Sequence, residues 1–348
     1  MALQGNRQDM KNRIFQFCTA LALWISLFAA ADAETVVMAV PGPGTLSYLP
    51  VYLAKAIAAD RAEGLNLKLR YFSGGPLAMS DMMNNNSDFL AIGLPAIAAA
   101  RADGVPVVAI GQLSQAAMYV FLLRSNLKSK VRNIGQLKGR RVGTTSGTST
   151  ERSMGQMMAE YLIQRAGLQS GDVQFIFTGQ DRKSQSAALT SATVDAIMGD
   201  EPFASELVAQ GVAVRLADLY PPQQSSKLLD GAIIHAALAT REDVYRQYPE
   251  TVKKVRRMFD RTLQWLSTHS AQDAADKLAS QPGFEAKKSK LLVEILQRDH
   301  GMFPNHIAWD SQAVAITEGF FHDMANNPNE SQLSFDDFIR NPAENNPH

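Results

Sequence analysis

The chain states one folding pattern twice, and that repeat limits the folds open to it. From Thr35 to Gly93 it runs apolar strand, Gly-rich turn, amphipathic helix, Glu63-Gly64-Leu65, a strand ending Tyr71-Phe72, a polar turn, a short helix and Asp88-Phe89-Leu90-Ala91-Ile92-Gly93. From Arg140 to Gly199 the order recurs. Its parts are Gly143-Thr144-Thr145-Ser146-Gly147, a helix through Tyr161, Ala166-Gly167-Leu168, a Phe175-Ile176-Phe177 strand and Asp195-Ala196-Ile197-Met198-Gly199. Strands alternating with helices predict parallel-rich α/β sheets, and two copies of the unit predict two similar lobes. A cleft between lobes is a favoured place for a ligand.

The N-terminus reads as an export signal. Arg7, Lys11 and Arg13 are followed by a mostly apolar run from Ile14 to Ala30 and by Ala31-Asp32-Ala33, a small-x-small pattern. Residues 1–33 are therefore expected to be removed after Ala33, leaving an exported, periplasmic protein. The run is interrupted by Gln16, Thr19 and Ser26, so it is a poor membrane span. The only cysteine, Cys18, lies inside it. The exported chain would then have no thiol, which excludes disulfides, thiolate metal sites and cysteine nucleophiles. Basic and acidic residues balance at 34 each, which gives no electrostatic footprint for nucleic acid.

Thr35-Val36-Val37-Met38-Ala39-Val40 suits a strand buried on both faces. Pro50 suits the first turn of the helix that follows, and Gly64 its end. Ligands of such folds gather at the carboxyl ends of strands. Attention therefore falls on four loops: Pro41 to Tyr48, Gly93 to Pro95, Gly143 to Ser149 and Gly199 to Pro202. The runs Val105–Ile110 and Tyr119–Leu123 predict a first crossing between lobes, and Gly231–Thr240 predicts the return. The expected organisation is 34–118 for the first lobe, 119–230 for the second, and 231–348 for the return strand and C-terminal helices. Those helices, with Val252, Val255, Phe259, Leu263 and Leu266 along one face, are expected to pack on the first lobe.

Candidate ligand contacts follow from the loops. Thr148-Ser149-Thr150-Glu151 matches a capping box, which would set a helix N-terminus, an oxygen-binding feature, beside Thr145, Ser146, Thr148 and Ser149. Thr45, Ser47 and Tyr48 follow a glycine-rich turn that lets backbone approach a ligand closely. Gly93 and Leu94 end another strand, and Ser114 and Gln115 precede a crossing. Asp200 and Glu201 end a strand in the second lobe and would accept an amine, a ring N–H or a hydroxyl; alternatively, Glu201-Pro202 caps the next helix and only Asp200 faces inward. His235, in the return run, reads as a hydrogen-bonded buried histidine. His300, His306 and His322 are too irregularly spaced for zinc, so neither metal nor cofactor is expected. The Met79, Met82 and Met83 group reads as the apolar face of a short helix. No serine elbow or histidine with an evident carboxylate partner suggests catalysis.

Several stretches together resemble the periplasmic solute-binding proteins of ATP-driven importers, in the group of sulfonate, nitrate and thiamine-precursor binders. They are Tyr48-Leu49-Pro50-Val51-Tyr52-Leu53-Ala54, Gly93-Leu94-Pro95-Ala96, Leu137-Lys138-Gly139-Arg140-Arg141-Val142-Gly143, Val194-Asp195-Ala196-Ile197-Met198-Gly199-Asp200-Glu201-Pro202 and Tyr248-Pro249-Glu250. The resemblance implies a two-lobed periplasmic-binding-protein fold of type II. It also implies a monomer that closes on a small polar organic solute (a sulfonate, a carboxylate or a nitrogen heterocycle) and delivers it to an inner-membrane ABC permease. An exported ligand-sensing module is the alternative, or an enzyme of the thiamine-pyrimidine or menaquinone type on the same fold. The cysteine-rich signature of the thiamine enzymes is absent. No arginine lies within the four loops, which argues against a strongly anionic ligand.

Overall fold

In the computed structural model the chain builds two five-stranded sheets of the same strand order, and residues 33–116, 118–144, 153–178, 182–220, 227–284, 289–298 and 301–341 are described. The expected signal segment, apart from Ala33, lies outside them. Sheet one runs β2-β1-β3-β10-β4, from β1 (Glu34–Pro41), β2 (Leu65–Phe72), β3 (Phe89–Gly93), β4 (Val107–Gln112) and β10 (Ala236–Arg241). Sheet two runs β7-β6-β8-β5-β9, from β5 (Tyr119–Arg124), β6 (Arg141–Thr144), β7 (Gln174–Phe177), β8 (Ala196–Asp200) and β9 (Ala213–Asp218). The repeat in the sequence is thus a repeat of topology.

Each sheet receives its fourth strand from across the molecule. Strand β4 ends in sheet one and the chain crosses to β5 in sheet two; β9 ends there and the chain returns to β10. Both entering strands run antiparallel to their neighbours, whereas β1 with β3, and β6 with β7 and β8, are parallel. The register even slips at the matching place in the two halves, between Leu238 and Ala239 against β4 and between Phe121 and Leu122 against β9. Strands β3 and β4 are buried along their whole length, which is why they read as continuous apolar runs.

Helix α1 (Leu49–Ala56) carries Pro50 in its first turn, where a missing N–H costs nothing. The left-handed Gly64 closes the following turn before β2. The long helix Pro249–Thr268 buries Val252, Val255, Phe259 and Leu263 against the first half, as its apolar stripe predicts. Helix Ser311–Asp323 departs from that expectation, because it serves both halves. Phe321 packs in the core under sheet one. Phe320 joins the core under sheet two, its ring 5.1 Å from Tyr161 and nearly perpendicular to it.

Candidate functional site

The carboxyl ends of β1, β3 and β8 converge on one place. From the first half come Thr45 and Tyr48, after β1, and Gly93 and Leu94 at the end of β3. From the second come Asp200 at the end of β8, Tyr119 at the start of β5, and Arg182 at the start of helix Arg182–Thr190. Between them sits His235, just before β10. Its ring centroid is 5.6 Å from that of Tyr48 and 5.1 Å from that of Tyr119. Three bonds join the halves here: the Thr45 hydroxyl donates to Asp200, Arg182 Nη2 donates to the Gly44 carbonyl at 3.1 Å, and Leu46 N donates to the Glu201 carbonyl at 2.9 Å.

The Gly-rich turn after β1 does allow a close approach, and what approaches is the protein's own backbone. Gly44 and Gly283 both have φ of +86°, and a Cβ on Gly283 would stand 2.7 Å from the backbone of Gly44. Only glycine fits both the left-handed conformation and that contact. The carbonyl of Gly44 is the one that accepts from Arg182.

Electrostatics at the site are set by Asp200. Burial pushes its carboxyl upward, Arg182, 4.0 Å away, and the Thr45 hydroxyl pull it down, and Glu201 pushes it up again; the net direction is up. The side chain keeps 23% of its surface accessible. Burial first, and Asp200 second, raise the Tyr48 phenol; burial, then Tyr48 and Asp200, raise Tyr119. Both phenols therefore remain neutral donors. Burial alone pulls the His235 imidazole down to about 3. The site is thus a neutral aromatic cluster beside one carboxylate and one guanidinium.

Glu201 is not part of this surface. Its side chain is fully buried and capped by protein groups: Ser205 N at 2.9 Å, Ser205 Oγ at 2.8 Å, Arg215 Nη2 at 2.9 Å, Tyr220 Oη and Arg298 Nη2 at 3.3 Å. It anchors helix Phe203–Ala209, as the alternative sequence reading has it. A buried carboxylate persists only with such compensation. Ser114 is likewise committed, its Oγ accepting from Ala236 N at 2.8 Å. Gln115 turns to the C-terminal segment, donating to the Gly301 carbonyl at 2.6 Å. Ser47 is buried beneath the surface with its Oγ unpaired among the described residues.

Thr145, Ser146, Thr148 and Ser149 lie outside the described residues. The helix after them starts later than the capping-box pattern suggests: it runs Met154–Arg165, and its cap is Ser153, whose Oγ accepts from Gln156 N at 3.2 Å. Two further departures concern charge and His235. Arg182 brings a cation to the site from the start of helix Arg182–Thr190, which follows β7, a strand end left out of the four loops considered. His235 is buried as expected, but its Nδ1 has no hydrogen-bond partner among the described residues. No cluster of three or more metal-ligating side chains gathers among them.

A family model described as NMT1/THI5 like matches residues 47–272, which include Tyr48, Gly93, Leu94, Tyr119, Arg182, Asp200 and His235 but not Thr45. The chain belongs to the NMT1/THI5-like family. A relative is YtlA of Bacillus subtilis, provisionally named a binding protein, 23% identical over 264 residues that cover 74% of this chain and 75% of YtlA. Among solved structures, the alkanesulfonate-binding protein SsuA of Xanthomonas axonopodis, bound to MOPS, is similar with a TM-score of 0.70 at 16% identity, covering 89% of this chain and 99% of SsuA. The periplasmic nitrate-binding protein NrtA of Synechocystis is similar with a TM-score of 0.71 at 15% identity, covering 89% of this chain and 86% of NrtA. At these identities the likeness is one of fold, and it is the fold implied by the sequence motifs. This NMT1/THI5-like chain therefore has the α/β periplasmic-binding-protein arrangement. None of its described helices is long and apolar enough to cross a membrane.

Proposed function

We propose that this protein captures a small polar organic solute (a sulfonate, a carboxylate or a nitrogen heterocycle) between its two halves and delivers it to an inner-membrane ABC permease. The observation that carries the reading is the convergence of Thr45 and Tyr48 from one half with Tyr119, Arg182 and Asp200 from the other. A site divided in this way is complete only when the halves meet, so a solute touching both sides favours the closed form by its differential contacts. The three bonds between Thr45 and Asp200, Arg182 and Gly44, and Leu46 and Glu201 are among those that opening would break, with that of Arg298 to Glu201. The two crossings, after β4 and before β10, supply a two-segment hinge. Export to the periplasm with cleavage after Ala33, and action as a monomer, belong to the same reading.

The test is a thermal-shift screen of the purified protein against alkyl and amino sulfonates, nitrate, aromatic carboxylates and aminopyrimidines. A compound at a thousandfold excess over its Kd stabilises by about 4 kcal/mol. A stabilising compound whose effect disappears in both Asp200→Ala and Tyr48→Ala supports the site. Stabilisation that survives both substitutions would place the solute elsewhere and remove the proposal.

A further inference from the structure

On the other face of sheet one from Tyr48, the helices Gly75–Met83 and Leu94–Ala102 leave a cavity of about 280 Å³ between them. Strand β3 separates the two places. Ala91 shares a core with Tyr48, whereas its neighbour Ile92, pointing the opposite way, lines the cavity. The methionine group of the first helix is divided by it: Met82 is buried in the core, while Met79 and Met83 line the space. Met157 joins them from the second half, and Phe321 from the helix Ser311–Asp323 that serves both halves. The facing helix offers only the small side chains of Ala96, Ala99 and Ala100 here, which leave the room. Well-packed interiors hold few voids larger than a water molecule, and an apolar cavity of about 150 Å³ already takes up benzene. Methionine walls adapt readily to the shape of an occupant.

The charge around this space has one sign. Asp103 and Glu330 are the charged residues that line it, and both are acidic. Asp103 has no ion-pair partner among the described residues. It is also the C-cap of helix Leu94–Ala102, the end of a helix that favours a cation. Glu330 is 8% exposed, and its Oε2 accepts from Asn326 N at 2.6 Å. We infer that the cavity is a second ligand site, taking a small amine with an apolar body: a ring or alkyl chain among the methionines and an ammonium at Asp103. A carboxylate or sulfonate would meet like charge there. The site is separate from the solute site proposed above and does not depend on it.

Titration of the purified protein, labelled with carbon-13 at the methionine methyls, with phenethylamine, 2-phenylethanol, 3-phenylpropionate and ethylamine tests this. Phenethylamine should bind and move the methyls of Met79, Met83 and Met157, leaving Met38 and Met258, in the core on the other face, in place. It should bind about fivefold tighter than 2-phenylethanol, and Asp103→Asn should close most of that gap, the scale of one exposed ion pair. The propionate, which has the wrong charge, and ethylamine, which lacks the body, should bind more weakly still. Ala99→Trp fills the cavity and should abolish binding, whereas Asp200→Ala should leave it unchanged. If Ala99→Trp does not fold, the methyl shifts and Asp103→Asn carry the test. Methyls that stay still, equal binding of the alcohol or the propionate, or undiminished binding by a folded Ala99→Trp overturn the inference. Binding lost in Asp200→Ala would move the amine to the interlobe site, overturning this inference and leaving the solute-binding reading intact.

Discussion

Replacing His235 by phenylalanine should change how the protein responds to acid. The imidazole is held down to about 3 in the fold by burial, against an ordinary value of 6.5. Between those two values the unfolded chain carries a proton on this residue and the folded chain does not, so stability falls as the pH drops. The contribution is intact above 6.5 and is lost at about 1.4 kcal/mol per pH unit below it. At about pH 4.5 the loss is about 2.7 kcal/mol, a large share of the 5–15 kcal/mol typical of a folded protein. Asp200 titrates nearby with the opposite sign, because its folded carboxyl is raised, but it does so in both proteins and cancels in their difference. Urea unfolding of wild type and His235→Phe at neutral pH and at about pH 4.5 gives that difference directly. Wild type should lose about 2.7 kcal/mol more than the variant. Equal losses would mean that the imidazole is hydrated or paired, and the reasoning about the site would fail with it.

Other substitutions test the packing around the site. Glu201→Ala removes the acceptor shared by Ser205, Arg215, Tyr220 and Arg298 and should destabilise by about 3–5 kcal/mol in urea titrations; a loss below about 1 kcal/mol would show that Glu201 is not the hub described. Gly283→Ala forces a Cβ to within 2.7 Å of Gly44 at a left-handed φ, so its melting temperature should fall by several degrees, and an unchanged value would rule out the close approach. Arg182→Met removes the donor to Gly44 and the cation nearest Asp200; with Arg182 28% exposed, stability should drop by only about 1 kcal/mol. Its Asp200 carboxyl should titrate higher than in wild type by carbon-13 NMR, and no movement would dissociate the pair.

Much of the architecture was legible in the chain because burial leaves a periodic mark. Strands β3 and β4, covered on both faces, are continuous apolar runs, and the doubled unit foretold two sheets of like order. The antiparallel β5 and β10 were less visible, since strand direction depends on which half the chain has just left. Site residues were harder still. Loop position drew attention to Asp200 and Glu201 together, but adjacent residues on a strand end point opposite ways, and the groups that claim Glu201 come from positions 205, 215, 220 and 298. Arg182 and Tyr119 reach the site from elements whose sequence carries no local sign of it. His235 was read as a satisfied buried histidine because exposure and burial have a hydropathy signal, whereas an unpaired ring nitrogen has none.

The central claim is that a solute joins the two halves at Asp200, Tyr48 and Tyr119. Small-angle X-ray scattering on the purified protein, with and without the compound that most raises its melting temperature, tests it most directly. The account predicts a smaller radius of gyration with the compound bound, and no change in Asp200→Ala at the same concentration. A wild-type radius unchanged at saturation would contradict it.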